Sequence, residues 1–152
     1  MQAPMRIALE EARRAFAAGE VPVGAVVMRG GELLARAHNL TRTAGDPTAH
    51  AEIVAIRRAC ERLGADRLPG CDLHVTLEPC PMCAGAIAHA RIGRLYFGAD
   101  DPKGGGVEHG ARVFSHPTCH HRPEIYGGLS AGEAGDLLRR FFAERREEPS
   151  CA

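Results

Sequence analysis

Apolar positions along the chain keep two different rhythms. From Pro4 to Gly19 they recur at helical spacing (Met5, Leu9, Ala12, Phe16), with Glu and Arg on the opposite face, which predicts a first helix ended by Gly19. Val21 to Met28 is apolar and β-branched, Arg29-Gly-Gly31 is a turn, and Leu33 to Ala37 returns, which predicts a hairpin. Pro22 and Gly24 near the start of its first strand suit an edge strand or a close backbone approach, for example to a ligand. His38 to Pro47 is polar and reads as a loop. The helical period returns from Thr48 to Leu63, with Ile53, Ile56, Cys60 and Leu63 on one stripe and Gly64 closing it. Cys71 to Leu77 alternates as a strand does, Cys80 to Ala90 reads as a helix, and Arg94 to Gly98 as a short strand.

Asp100 to Arg122 has no period. Gly104-Gly-Gly106 makes it read as flexible, and its histidines, with nearby His89, fit no metal template, so a polar rim is expected. Pro123 to Tyr126 suits a last short strand. Ser130-Ala-Gly-Glu133 has the pattern of a capping box that starts a final helix. Leu137, Leu138, Phe141 and Phe142 form that helix's apolar face. Arg139, Arg140, Arg145 and Arg146 form a basic face, which reads as solvated and balanced by Glu144, Glu147 and Glu148. Helix and strand alternating after the hairpin predict an α/β layered domain with parallel pairing in its later part.

The chain of 152 residues suits a single domain spanning residues 1–152. Charge is balanced, 19 basic against 19 acidic residues, so any nucleic-acid contact must come from a local patch. There is no apolar run of membrane-spanning length and no secretory pattern, which leads us to expect a soluble cytoplasmic protein. In that setting C-x-x-C reads as metal or redox chemistry before disulfide; Cys60, Cys71, Cys119 and Cys151 lack such spacing and read as plain thiols.

The chemistry-bearing stretch is Thr76-Leu-Glu-Pro-Cys-Pro-Met-Cys-Ala-Gly-Ala86, together with His50-Ala-Glu52. Cys80 and Cys83 share one face of a first helical turn, where the helix dipole favours thiolates. His50 supplies a third donor. Three protein ligands leave a corner of a Zn²⁺ site for water, and Glu52 is then the candidate proton carrier. The arrangement H-x-E…P-C-x-x-C is the recognised signature of zinc nucleobase deaminases.

With these blocks, the chain resembles the bacterial tRNA-specific adenosine deaminases of the cytidine deaminase superfamily. Val21-Pro-Val-Gly-Ala-Val26, Asp46-Pro-Thr-Ala-His-Ala-Glu-Ile53 and Thr76–Ala86 are similar to its central elements. His121-Arg122, Glu124-Ile125, Phe141-Phe142 and Arg145-Arg146 are similar to its C-terminal part. The resemblance implies a three-layer fold with a central five-stranded mixed sheet, and a homodimer that converts the wobble adenosine of a tRNA anticodon to inosine. It implies Zn²⁺ on His50, Cys80 and Cys83, with Glu52 moving protons. By the same resemblance Asn39 contacts the nucleoside, Val23 lines the base pocket, Phe142 stacks near the anticodon loop, and Lys103 and Arg145 lie close to the RNA.

Two other readings share the zinc residues. A small-molecule deaminase of guanine or cytosine needs no basic helix. A structural zinc domain needs a fourth protein ligand, for which Cys71, His74 and His89 are the candidates.

Overall fold

A computed structural model describes residues 3–146. Four helices and five strands follow one another: α1 (Pro4–Ala17), β1 (Gly24–Arg29), β2 (Glu32–His38), α2 (Ala51–Leu63), β3 (Cys71–Leu77), α3 (Pro81–Ala90), β4 (Arg94–Ala99), β5 (Glu124–Tyr126) and α4 (Ala131–Arg146). A short 3₁₀ turn at Val113–Ser115 interrupts the long connection between β4 and β5.

The strands form one sheet in the order β2-β1-β3-β4-β5. β2, β1 and β3 pair antiparallel, while β3, β4 and β5 pair parallel, the first crossover running through α3 and the second through the long connection after β4. Side chains alternate across the sheet. Ala25, Val27, Leu73, Val75, Leu95 and Phe97 meet α2 and α3 in the larger core. Val26 meets Met5, Ala8, Leu9 and Ala12 of α1 and Ala134 and Leu137 of α4 on the other side. The result is the expected three-layer α/β fold with a five-stranded mixed sheet.

Two local expectations are corrected. β1 is an interior strand, not an edge, and the close approach at Gly24 is to α1 rather than to a ligand: a Cβ there would lie 1.9 Å from the Ala8 carbonyl oxygen. The capping box at α4 does not form as one. Ser130 sits in the left-handed region (φ 55°), not the extended region of an N-cap, and Glu133 pairs with Arg13 of α1. A tertiary ion pair has taken the glutamate.

The register sets up the site. Gly24 pairs with His38 and Ala25 with Val75, while Leu77 lies beside Ala99. The segment entering β1, the loop leaving β2 and the ends of β3 and β4 therefore gather at one end of the sheet, where open α/β sheets form their crevices.

Candidate active site

His50 is the N-cap of α2 and Cys80 the N-cap of α3, both extended, and each hands its chain into a helix whose first turn faces the same crevice. Pro81 opens α3, where a missing N–H goes unneeded. Cys83 then lies one turn in and is fully buried. The imidazole Nδ1 of His50 is 3.6 Å from Cys80 Sγ and 3.5 Å from Cys83 Sγ.

That spacing tests whether a metal fits. With metal–sulfur and metal–nitrogen bonds of about 2.3 and 2.0 Å meeting at tetrahedral angles, S and N are about 3.5 Å apart. The three donors match this separation and all lie within 4.8 Å of one another. Their softness suits zinc. Among the described residues no fourth His, Cys, Asp or Glu joins them: Cys71, His74 and His89, the fourth ligands a structural site would need, lie elsewhere. His74 is buried against Tyr96, with ring centroids 4.4 Å apart.

Electrostatics at the triangle favour a single anion, on Cys80. Hydrogen bonds from the Cys83 thiol and from His50 hold the Cys80 thiol down at about 4, against its desolvation. Cys83 is pushed strongly upward, first as the donor to Cys80 and then by burial. The two sulfurs thus share a proton that a bound divalent cation would displace. His50 is raised, chiefly by its hydrogen bond to Cys80. Glu52, in the first turn of α2, is 4% exposed, and burial pushes its carboxyl up to about 7. A carboxyl near neutrality can both take and give a proton.

These groups open into a cavity of about 310 Å³ lined by Val21, Val23, Asn39, Thr41, His50, Glu52, Leu77, Glu78, Cys80, Asp101 and Gly104, among others. Val23 and Asn39 both line this cavity. A neighbouring groove of about 560 Å³ shares Val21, Leu77 and Asp101 and runs past Leu138, Arg139 and Phe142 of α4. Phe142 is 47% exposed and lines that groove rather than the cavity. Lys103 is exposed on the turn between Asp101 and Gly104. Arg145 points inward: its guanidinium donates to the Gly19 carbonyl at 3.1 Å and lies over the Phe141 ring at 4.8 Å. The basic face of α4 is thus partly occupied, with Arg139 paired to Asp136 and Arg140 over Phe16. Glu147 and Glu148, expected to balance it, lie outside the described residues, as does Cys151.

Two fully buried carboxylates near the cavity escaped the sequence reading. Glu20 is fully buried and accepts the Thr43 amide at 2.7 Å, the Arg42 amide at 3.1 Å and the Asn39 side-chain amide at 3.4 Å. It anchors the loop that carries Asn39 and Thr41. Burial pushes its carboxyl up, but the Thr43 and Arg42 amides win and hold it below the usual range. Glu20→Gln replaces one acceptor with a donor facing amides, so it is expected to cost about 1–3 kcal/mol. A depressed folded-state value stabilises above the unfolded carboxylate pKa and loses that stabilisation as pH falls through the folded one. Denaturant titrations from pH 7 down to pH 3 check this: part of the wild type's loss below its ordinary carboxylate range disappears in Glu20→Gln.

Glu78, inside the cysteine block, is also fully buried, and the loop after β4 wraps it. The glycines of that loop are not loose. A Cβ on Gly105 would lie 2.5 Å from a Glu78 carboxylate oxygen, and one on Gly106 would lie 2.5 Å from Pro81 N, so both are glycine because the chain passes too close for anything else. The histidines around it serve mainly as struts: His116 bonds the Ala111 carbonyl, His121 the Ile92 carbonyl and His109 the Glu78 carboxylate, while His89 meets His120 edge-on.

Comparison with known proteins follows the same lines. The chain matches the MafB19-like deaminase family over residues 1–146. It is 60% identical over 142 residues to a tRNA-specific adenosine deaminase of Agrobacterium fabrum, covering 93% of each chain. A solved structure from work on A-to-I editing by tRNA deaminases at the wobble position superposes with a TM-score of 0.88 at 59% identity, over 89% of this chain and 98% of that one. A guanine deaminase of Nitrosomonas europaea superposes with a TM-score of 0.76 at 27% identity, over 94% of this chain and 86% of that one.

Proposed function

Because this chain belongs to the tRNA-specific adenosine deaminases, within the MafB19-like deaminases, we propose that it hydrolyses the wobble adenosine of a tRNA anticodon to inosine and releases ammonia. The observation that carries the chemistry is the buried Glu52 carboxyl beside the His50, Cys80 and Cys83 triangle at the floor of a base-sized cavity. His50 Nδ1, Cys80 Sγ and Cys83 Sγ would hold one Zn²⁺ per chain. The ion supplies Lewis acidity that lowers the pKa of a water from ~15.7 toward ~7 in the best-studied sites, less so where two thiolates offset its charge.

The protein's own groups supply the rest. Glu52 takes the water proton onto a carboxylate oxygen as the water oxygen adds to carbon 6 of the purine. The same oxygen returns that proton to the adjacent ring nitrogen. Glu52 then takes the proton of the new hydroxyl on carbon 6 and gives it to the amino nitrogen; the carbon–nitrogen bond breaks, ammonia leaves, and the carbon 6 carbonyl of inosine remains. A raised carboxyl pKa suits this double duty. Val23 packs on the base, and Asn39, steadied by Glu20, offers its amide to the nucleoside. Burying a base this way requires it to be unstacked, which a single-stranded anticodon loop concedes cheaply.

Outside the cavity, Phe142 offers a stacking face in the adjoining groove and Lys103 a cation at its rim; Arg145 acts by tying α4 to Gly19. The enzyme works as a homodimer in the cytoplasm on this reading, and among the described residues no helix is long and apolar enough to cross a membrane.

Incubation with an anticodon stem-loop whose wobble base is adenosine, and in parallel with free guanine, cytosine and adenosine, tests the substrate. Inosine in the stem-loop with little turnover of free bases is expected. Ammonia from guanine or cytosine alone would make it a small-molecule deaminase on the same scaffold.

A further inference from the structure

The mechanism above leaves Glu78 without a task, although it is the most heavily hydrogen-bonded carboxylate near the cavity. One oxygen, Oε2, accepts the amides of Val107 (3.2 Å), Glu108 (3.0 Å) and His109 (3.0 Å). The other, Oε1, accepts the amide of Asp101 (3.1 Å) and meets His109 Nδ1 at 2.7 Å. Every donor comes from one loop, residues 101–109. A carboxylate offers about four lone-pair sites, so Glu78 is saturated and has nothing left for a cation. Its grouping with Asp100 and His109 is therefore a loop clasp and not a second metal site.

The clasped loop is a wall of the site. Asp101 and Gly104 line the base cavity, and Asp100 and Asp101 line the adjoining groove. The Gly104 amide closes the turn onto Asp101 Oδ1 at 2.9 Å, which presents Lys103 at its tip. The Gly106 amide bonds the Pro79 carbonyl at 2.8 Å, stitching the wall to the cysteine block itself. Among the described residues, no His, Cys, Asp or Glu of this wall joins the three-donor group.

We infer that Glu78 is a positioning residue of the deamination: by collecting the amides of Asp101 and 107–109 it freezes the wall that separates base cavity from groove, and so sets how tightly the RNA binds rather than how fast the bound base reacts. The inference rests on the RNA-deaminase reading. Glu78→Gln is the sharp variant. Its remaining oxygen does best facing the three amides at the Oε2 position, and its NH₂ group then faces the Asp101 amide, so the wall loosens at the cavity residue. Gly105→Ala attacks the same clasp from the other side, because its methyl would lie 2.5 Å from both the Glu78 carboxylate and the Asp101 carbonyl oxygen, the two ends of the clasp, while Cys80 and Cys83 are unchanged.

The test measures stem-loop kinetics, bound zinc, and amide hydrogen exchange for wild type and both variants. Both variants are expected to raise KM about tenfold, with kcat changed by less than about threefold and zinc unchanged. Fast exchange should appear in residues 101–109 while the helices stay protected. If either variant does not fold, Glu78→Asp, which keeps the carboxylate but draws it back from the loop amides, takes its place with the same expected result. An unchanged KM with the loop amides exposed would overturn the inference, as would loss of zinc and kcat at constant KM, which would place Glu78 behind Cys80 instead. If the wild type does not deaminate the stem-loop, the RNA-deaminase reading falls and the positioning role with it, while exchange at 101–109 still reports whether the clasp exists.

Discussion

Glu52→Ala is expected to keep its zinc and lose at least about 10²-fold in inosine formation, the lower end of what a positioned acid–base group contributes. The separation of the two effects is the point. Glu52 stands outside the three-donor group, so removing its carboxylate leaves His50, Cys80 and Cys83 in place. Its removal also deletes a buried acid whose ionisation burial already resists, so the fold should tolerate the change. Metal analysis and single-turnover inosine formation on the same sample decide it. Turnover within a few-fold of wild type would take the proton-transfer role from Glu52.

The second large effect is on metal content. Cys83→Ala removes the most buried donor of the triangle, and a site with two ligands in place of three should hold far less than one zinc per chain. Inosine formation is then expected to fall by more than about 10²-fold. Stability reports the same event without reference to catalysis, because an ion bound only by the folded state stabilises it. A chelator should lower the Tm of the wild type and leave that of Cys83→Ala unchanged. Equal responses in the two proteins would mean that the stabilising ion sits elsewhere.

Much of this molecule could be read from its sequence because the signals were local. β3 runs Cys71–Leu77 as its alternation predicts, and Gly64 ends α2 in the left-handed conformation that a helix stop needs. His50, Cys80 and Cys83 come together because two helix starts are built into their own neighbourhoods. What stayed hidden depends on partners far along the chain. Glu20 follows a helix-ending glycine and looks like a solvated turn, yet its donors arrive from residues 39–43. Gly105 and Gly106 look flexible until the Glu78 carboxylate and Pro81 are set against them. Ser130 and Glu133 satisfy a capping pattern, but Arg13, on another helix, claims the glutamate. Arg145 reads as part of a solvated face, and only the packing of α4 shows its contacts with Gly19 and Phe141. Sequence spacing carries short-range geometry well and says little about which distant amide a carboxylate will meet.

Deamination here depends on a three-ligand ion with a corner open to the cavity. Visible spectroscopy of the cobalt-substituted enzyme addresses it directly. One cobalt per chain is predicted, with thiolate charge-transfer bands and a four-coordinate ligand-field spectrum that shifts when a small anion such as azide enters the cavity. A spectrum indifferent to every added ligand, with four protein donors around the metal, would contradict it and leave a structural zinc site in its place.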